Sequence, residues 1–151
     1  MEASRPAERF RVSRQSQYAE IRKRFSRVGA VRMLGMKVGK LRPGRATLTL
    51  DTRPRHSHPQ GIHGGVLAAL ADTALAMAIF TRLPASTWIS TVEMKINYLA
   101  PHQRGRLRAD ARVLRQGKRL AVGEVEIRNA AGELVAKSLL TYSIRRPDEK
   151  A

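Results

Sequence analysis

The chain has no cysteine among its 151 residues, which excludes disulfides, thiolate zinc sites and cysteine nucleophiles. A reducing compartment is thereby permitted, and the cytoplasm is the expected location. Aromatic residues make up only 5%, with no stacking run beside a basic cluster, so sequence-specific RNA binding is not expected. Long hydrophobic runs are missing as well. The longest apolar stretch, Gly64 to Phe80, is interrupted by Asp72 and falls short of the roughly 20 apolar residues that span a bilayer. No transmembrane segment is expected. There is no internal repeat and no dinucleotide-binding or phosphate-loop glycine pattern. Acidic residues are few, 12 against 29 lysines and arginines, which leaves a net charge of +17.

What is present fits one domain: 151 residues, 42% of them hydrophobic. A basic flexible tail is expected over residues 1–16, a single domain over 17–146 and a short tail over 147–151. The charge is uneven. Residues 1–62 hold 15 basic and 4 acidic side chains, residues 63–103 hold 2 and 2, and residues 104–151 hold 12 and 6. A neutral middle therefore lies between two basic flanks.

Tyr18, Ile21, Phe25 and Val28 recur at helical spacing, which predicts an amphipathic helix over 17–31. Leu34 to Leu41 and Ala46 to Asp51 flank a Pro43-Gly44 turn and read as a hairpin. Thr52 to Ile62 has no period and reads as a loop. His63 to Leu83 is apolar on nearly every face, the mark of a helix surrounded by protein. Strands follow at Trp88–Leu99, Leu107–Gln116, Arg119–Asn129 and Leu134–Ile144, the middle two joined by the tight turn at Gln116-Gly117-Lys118. The fold class is α+β: an N-terminal helix and a long central helix wrapped by a curved antiparallel sheet of about six strands.

Within the buried helix, Asp72 is the only charged residue between His63 and Arg82. Leaving a carboxylate unpaired in an apolar setting costs several kcal/mol, so it must be paired, neutralised or used. Pairing with a base across an interface and use as a catalyst both remain open. At the helix start, His63-Gly64-Gly65 offers backbone N–H groups that can hold an oxyanion, or simply fits a tight turn. Gly64 and Asp72 stand about 12 Å apart along a helix, too far to touch one reacting carbon. Antiparallel helices across a dimer axis would bring one subunit's helix start to the other's acid.

His56-Ser57-His58-Pro59-Gln60-Gly61-Ile62-His63-Gly64-Gly65 through Leu70-Ala71-Asp72-Thr73-Ala74, with Thr91-Val92-Glu93-Met94-Lys95-Ile96-Asn97-Tyr98, resembles the PaaI-like acyl-CoA thioesterases of hotdog fold. The resemblance covers about Leu34 to Ile144. It implies hydrolysis of an acyl-CoA thioester to free acid and CoA, at sites shared between subunits of a homodimer or a homotetramer built as a dimer of dimers. It further implies that the Gly64 N–H polarises the carbonyl, that Asp72 is general base or nucleophile, and that Thr91 helps hold water. No cofactor and no metal are implied. One position departs from the family pattern: the water-placing Asn falls on Ser57 without a gap or on His58 with one, and neither is an amide.

His63 and Gly65 join the expected substrate-binding set. Arg53, Arg55, Arg115, Lys118 and Arg119 are candidates for the rim that steers the coenzyme A phosphates, with Arg104 and Arg106 beside them. Leu67, Leu70 and Met77 are expected along an acyl tunnel. The competing expectation is a weakly catalytic or non-catalytic acyl-CoA-binding hotdog protein, or a basic module that holds polyanions.

Overall fold

Alternation in the C-terminal half sets the architecture. Ala121, Gly123, Val125 and Ile127 are all buried, and the residues between them are half-buried. The computed structural model describes residues 13–147. In chain order it contains helices α1 (Arg14–Ser26) and α2 (Gly29–Leu34), then strands β1 (Met36–Arg42) and β2 (Arg45–Asp51). A 3-10 turn at Pro54–His56 and two short strands, β3 (Ser57–His58) and β4 (Gly61–Ile62), lead into helix α3 (Gly64–Phe80). Strands β5 (Trp88–Tyr98), β6 (Arg106–Gln116), β7 (Leu120–Asn129) and β8 (Leu134–Arg145) complete the chain.

Six strands form one antiparallel sheet in the order β1-β2-β6-β7-β8-β5, and α3 crosses its inner face. The core lies between them. Leu48 and Leu50 of β2, Leu107 of β6, Val125 and Ile127 of β7 and Leu140 of β8 meet Leu70, Leu75 and Met77 of α3, all essentially without solvent contact. Each such side chain contributes roughly 1.5–3 kcal/mol by leaving water. Gly123 lets the helix approach closely: a Cβ there would overlap Leu75 Cδ1 and lie 2.7 Å from the Arg112 carbonyl oxygen. The far end of α3 is tied down by polar groups. The Gln17 amide donates to the Phe80 and Leu83 carbonyls at 3.2 and 3.1 Å, at the helix end and just beyond it. Thr81 Oγ1 accepts from the Gly44 N–H at 2.7 Å, fixing the β1–β2 turn, where Gly44 takes φ 70°.

The structure differs from the sequence expectations in three places. The predicted helix over 17–31 is two helices. The first starts at Arg14, because Ser13 Oγ accepts from the Ser16 N–H at 3.2 Å, so residues 14–16 of the expected tail are helical. It stops at Ser26, and Val28, 41% exposed, becomes the cap residue of α2 rather than a core contact. Next, the loop over 52–62 holds the 3-10 turn and the β3–β4 hairpin. Finally, the described residues do not surround α3. Gly65 is exposed and Ala68, Ala69, Asp72, Thr73 and Ala76 are half-buried, forming a strip of small residues on the side away from the sheet. Residues 1–12 of the expected N-terminal tail and 148–151 of the C-terminal one lie outside the described residues.

Candidate active site

Asp72 sits in the middle of α3 on the uncovered strip, and its carboxylate is met by hydroxyls rather than by a cation. Thr91 Oγ1 of β5 donates to Asp72 Oδ1 at 2.8 Å. Tyr142 of β8 brings its hydroxyl to the same oxygen at 2.5 Å and to the Asp72 carbonyl at 2.8 Å. Thr91 and Tyr142 are direct cross-strand partners in the β5–β8 ladder, so sheet register delivers both to one atom. Among the described residues no Lys or Arg nitrogen lies within 4.0 Å of this carboxylate. Tyr142 is 3% exposed, and burial, then its bond to Asp72, pushes its phenol well above the ordinary range. It stays protonated and acts as a donor.

Gly64 opens α3 at the other end of that strip. His63 caps the helix, its Nδ1 accepting from the Gly65 N–H at 2.9 Å, while the Val66 N–H goes to the His63 carbonyl. Gly65 and His63 therefore satisfy each other. The Gly64 N–H meets no acceptor among the described residues and is the open donor of the helix start. It borders a cavity of about 390 Å³ lined by His58, Ile62, Leu67, Tyr98, Pro101 and His102. Tyr98 donates from its hydroxyl to the Gly64 carbonyl at 3.0 Å, and its ring lies against the glycine so closely that a Cβ would stand 3.0 Å from Cζ.

Of the two residues at the position of the family Asn, His58 lines this cavity, whereas the Ser57 hydroxyl turns toward the Arg53 carbonyl at 3.5 Å. His58 Nδ1 lies 2.9 Å from Gln60 Oε1. His56 is a structural residue: buried, its Nδ1 accepts from the Arg53 N–H at 3.0 Å and anchors the 3-10 turn. Burial first, then the charges of Arg55 and Arg53, hold its imidazole below the usual value and keep it neutral. Of the expected tunnel residues only Leu67 reaches the cavity. Leu70 and Met77 point into the sheet and are fully buried, because their positions on α3 fall on the core face.

The predicted rim divides between two ends of one chain. Arg53 and Arg55 stand exposed beside the start of α3, and Arg106 is held by both oxygens of Asp51. Arg115, Lys118 and Arg119 lie at the β6–β7 turn, about 33 Å away along the 11-residue β6. On the outer sheet face Asp110 pairs with Arg108, and Glu124 and Glu126 with Arg112, Arg128 and Lys137. Among the described residues no group of three or more metal-ligating side chains forms, and no helix is long and apolar enough to cross a membrane.

Tyr142 and Tyr98 were not among the expected site residues. Tyr142 shares the inward parity of Leu140 and Ile144, the signal that could have found it.

A six-stranded antiparallel sheet clasping one long helix, with a carboxylate at mid-helix and a free N–H at its start, defines a hotdog hydrolase. Comparison with known proteins agrees. Residues 60–136 match the model of the thioesterase superfamily. The chain is 34% identical over 98 residues to human acyl-coenzyme A thioesterase 13, covering 63% of this chain and 69% of that one. It is 25% identical over 120 residues to the 1,4-dihydroxy-2-naphthoyl-CoA hydrolase of Listeria monocytogenes, covering 79% of this chain and 98% of that one. The PaaI protein of E. coli, from the phenylacetic acid degradation operon, superposes with a TM-score of 0.79 at 26% identity, covering 87% and 95% of the two chains. The chain belongs to the thioesterase superfamily. It is a thioester hydrolase of the PaaI-like hotdog type.

Proposed function

We propose that the protein hydrolyses acyl-CoA thioesters in the cytoplasm, at two equivalent sites shared across a homodimer, alone or within a dimer of dimers. In each site Asp72 of one subunit takes a proton from water as the water attacks the thioester carbonyl. The Gly64 N–H of the other subunit holds the oxyanion that forms, and the thiolate of coenzyme A leaves. His58, one of the polar side chains lining the cavity, contacts this water, and Thr91 orients the acid. The observation that carries the reading is the separation of the two halves: the open N–H and the carboxylate lie eight residues apart on one helix, along a strip the described residues leave uncovered. A second helix packed antiparallel on the strip would cover its small residues and join the halves.

The sheet supports the same geometry. β5 is an edge strand of 11 residues whose Trp88, Val92 and Tyr98 are more than half exposed, an apolar edge suited to pairing with its own copy. Antiparallel pairing of two β5 strands sets the Trp88 end of one beside the Tyr98 end of its partner. Arg115, Lys118 and Arg119 of one subunit and Arg53 and Arg55 of the other then share one rim, which suits the phosphates of coenzyme A. His63 and Gly65 shape the helix start that this substrate approaches.

A thiol-release assay across short, medium and aromatic acyl-CoAs, run with native protein and Asp72→Asn beside a measurement of solution mass, tests the reading. Turnover by the native dimer and its loss in D72N are expected. Equal hydrolysis by both proteins would remove Asp72 from the chemistry. The alternative of a polyanion-binding module rests on a groove of about 280 Å³ on the outer sheet face, lined by Lys40, Arg42, Arg45 and Arg108. It predicts salt-sensitive polyanion binding without thiol release.

A further inference from the structure

Two hydroxyls converge on one oxygen of Asp72, and none of the described residues hydrogen-bonds to the other. We infer that Tyr142 is a positioning residue of the hydrolysis: its hydroxyl, with that of Thr91, holds Asp72 Oδ1 as a fixed acceptor and turns Oδ2 out as the oxygen that takes the proton from water. This rests on Asp72 being the base. Three observations carry it. The Tyr142 hydroxyl spans the Asp72 carbonyl and Oδ1 at 2.8 and 2.5 Å, so it ties the side chain to its own backbone and limits its rotation. Thr91 reaches the same Oδ1 at 2.8 Å from the neighbouring strand. The phenol is locked in the core at 3% exposure, so it reaches the site through the acid and is not itself placed to meet substrate.

The electrostatic consequence follows from what faces the carboxylate. The inward residues of β2, β6 and β7 carry no charge, Gln116 beside Ala121 being the polar one, and α3 carries no other charged residue between Gly64 and Phe80. On β5, Glu93 turns to the outer face and accepts from Thr141, and Lys95, paired with Leu139, shares that face. Tyr142 is thus the titratable group in contact with Asp72 among the described residues, and it contributes a donor and no charge. Donors to a carboxylate favour its ionised form. Removing the phenol hydroxyl therefore takes one of the two donors from Oδ1 and loosens the aim of Oδ2.

The test is kcat and KM for Tyr142→Phe, with a thermal melt to register any loss of packing. A kcat lower by about tenfold with KM little changed is expected. The Asp72 Cγ resonance in protein labelled with ¹³C at its four aspartates, assigned by D72N, should move in Y142F and reads the lost hydrogen bond whether or not turnover survives. If Y142F fails to fold, 3-fluorotyrosine placed at 142 nearly keeps the shape and strengthens the donor, and should move the same resonance. A resonance unchanged in the substituted protein, or a kcat unchanged in folded Y142F, overturns the inference. If D72N itself retains full activity, the assignment of the base has failed, a different result from an intact base that ignores Tyr142.

Discussion

Gly64→Pro tests the oxyanion donor, because proline at this position removes the N–H while suiting the backbone. Gly64 is the first helical residue, where the fixed φ of proline suits a helix and the missing N–H breaks no bond within the fold. The preceding His63, at φ −63° and ψ 131°, already has the extended backbone that a residue before proline prefers. The steric cost is contact with Tyr98, whose Cζ would lie 3.0 Å from the new Cβ, and which is 53% exposed near the end of an edge strand. A shift of a few tenths of an ångström relieves that contact. Gly64→Ala introduces the same Cβ and keeps the N–H, so the comparison of the two variants subtracts the crowding of that Cβ against Tyr98. Loss of one oxyanion donor costs about 2.7–4 kcal/mol, a factor of about 10² to 10³ in kcat. The expected result is that G64A keeps most of its turnover and G64P falls below it by that factor, with similar melting temperatures. If saturating thiol-release rates for G64P stay within about threefold of G64A, the Gly64 N–H does not hold the oxyanion.

Gly123→Ala should lower stability by about 1–3 kcal/mol, read as a drop of several degrees in melting temperature, since its Cβ would collide with Leu75 and the Arg112 carbonyl. A melt unchanged within about 1 °C would mean that α3 does not press on β7 as described. Stability should also fall on mild acidification. Because the folded state holds the His56 value below its ordinary 6.5, the unfolded chain binds the proton first, and the contribution present above that pH is lost as pH falls through the folded value. Melts between pH 7.5 and 5 should decline, with a shallower slope in His56→Asn; equal slopes would show that His56 does not drive the loss.

Strand boundaries from Trp88 onward were legible to within a residue or so, because side chains that alternate between core and solvent write a period of two into the chain. The break at Arg27–Val28 was not legible, since Val28 continues the helical spacing of Tyr18, Ile21 and Phe25 and nothing local forbids the longer helix. The site divides the same way. Gly64 and Asp72 stand out in sequence as glycine at a helix start and as a lone charge in an apolar helix. Thr91 enters through the family resemblance, but Tyr142 does not stand out: it lies 70 residues from Asp72, and only the β5–β8 register brings it beside Thr91. Likewise the sequence places His63 at the helix start, and only its bond to the Gly65 N–H shows that it caps α3.

Mixing inactive subunits tests whether each site takes Gly64 from one chain and Asp72 from another. D72N and G64P homodimers are each expected to be inactive, having lost the same half of both sites. Unfolded and reassociated in equal amounts, they form heterodimers for about half of the population, each with one intact site and one site lacking both groups. Sharing across the interface predicts recovery of about a quarter of the native thiol-release rate. No recovery from a mixture confirmed as heterodimeric would place both groups in one chain's site and contradict the account.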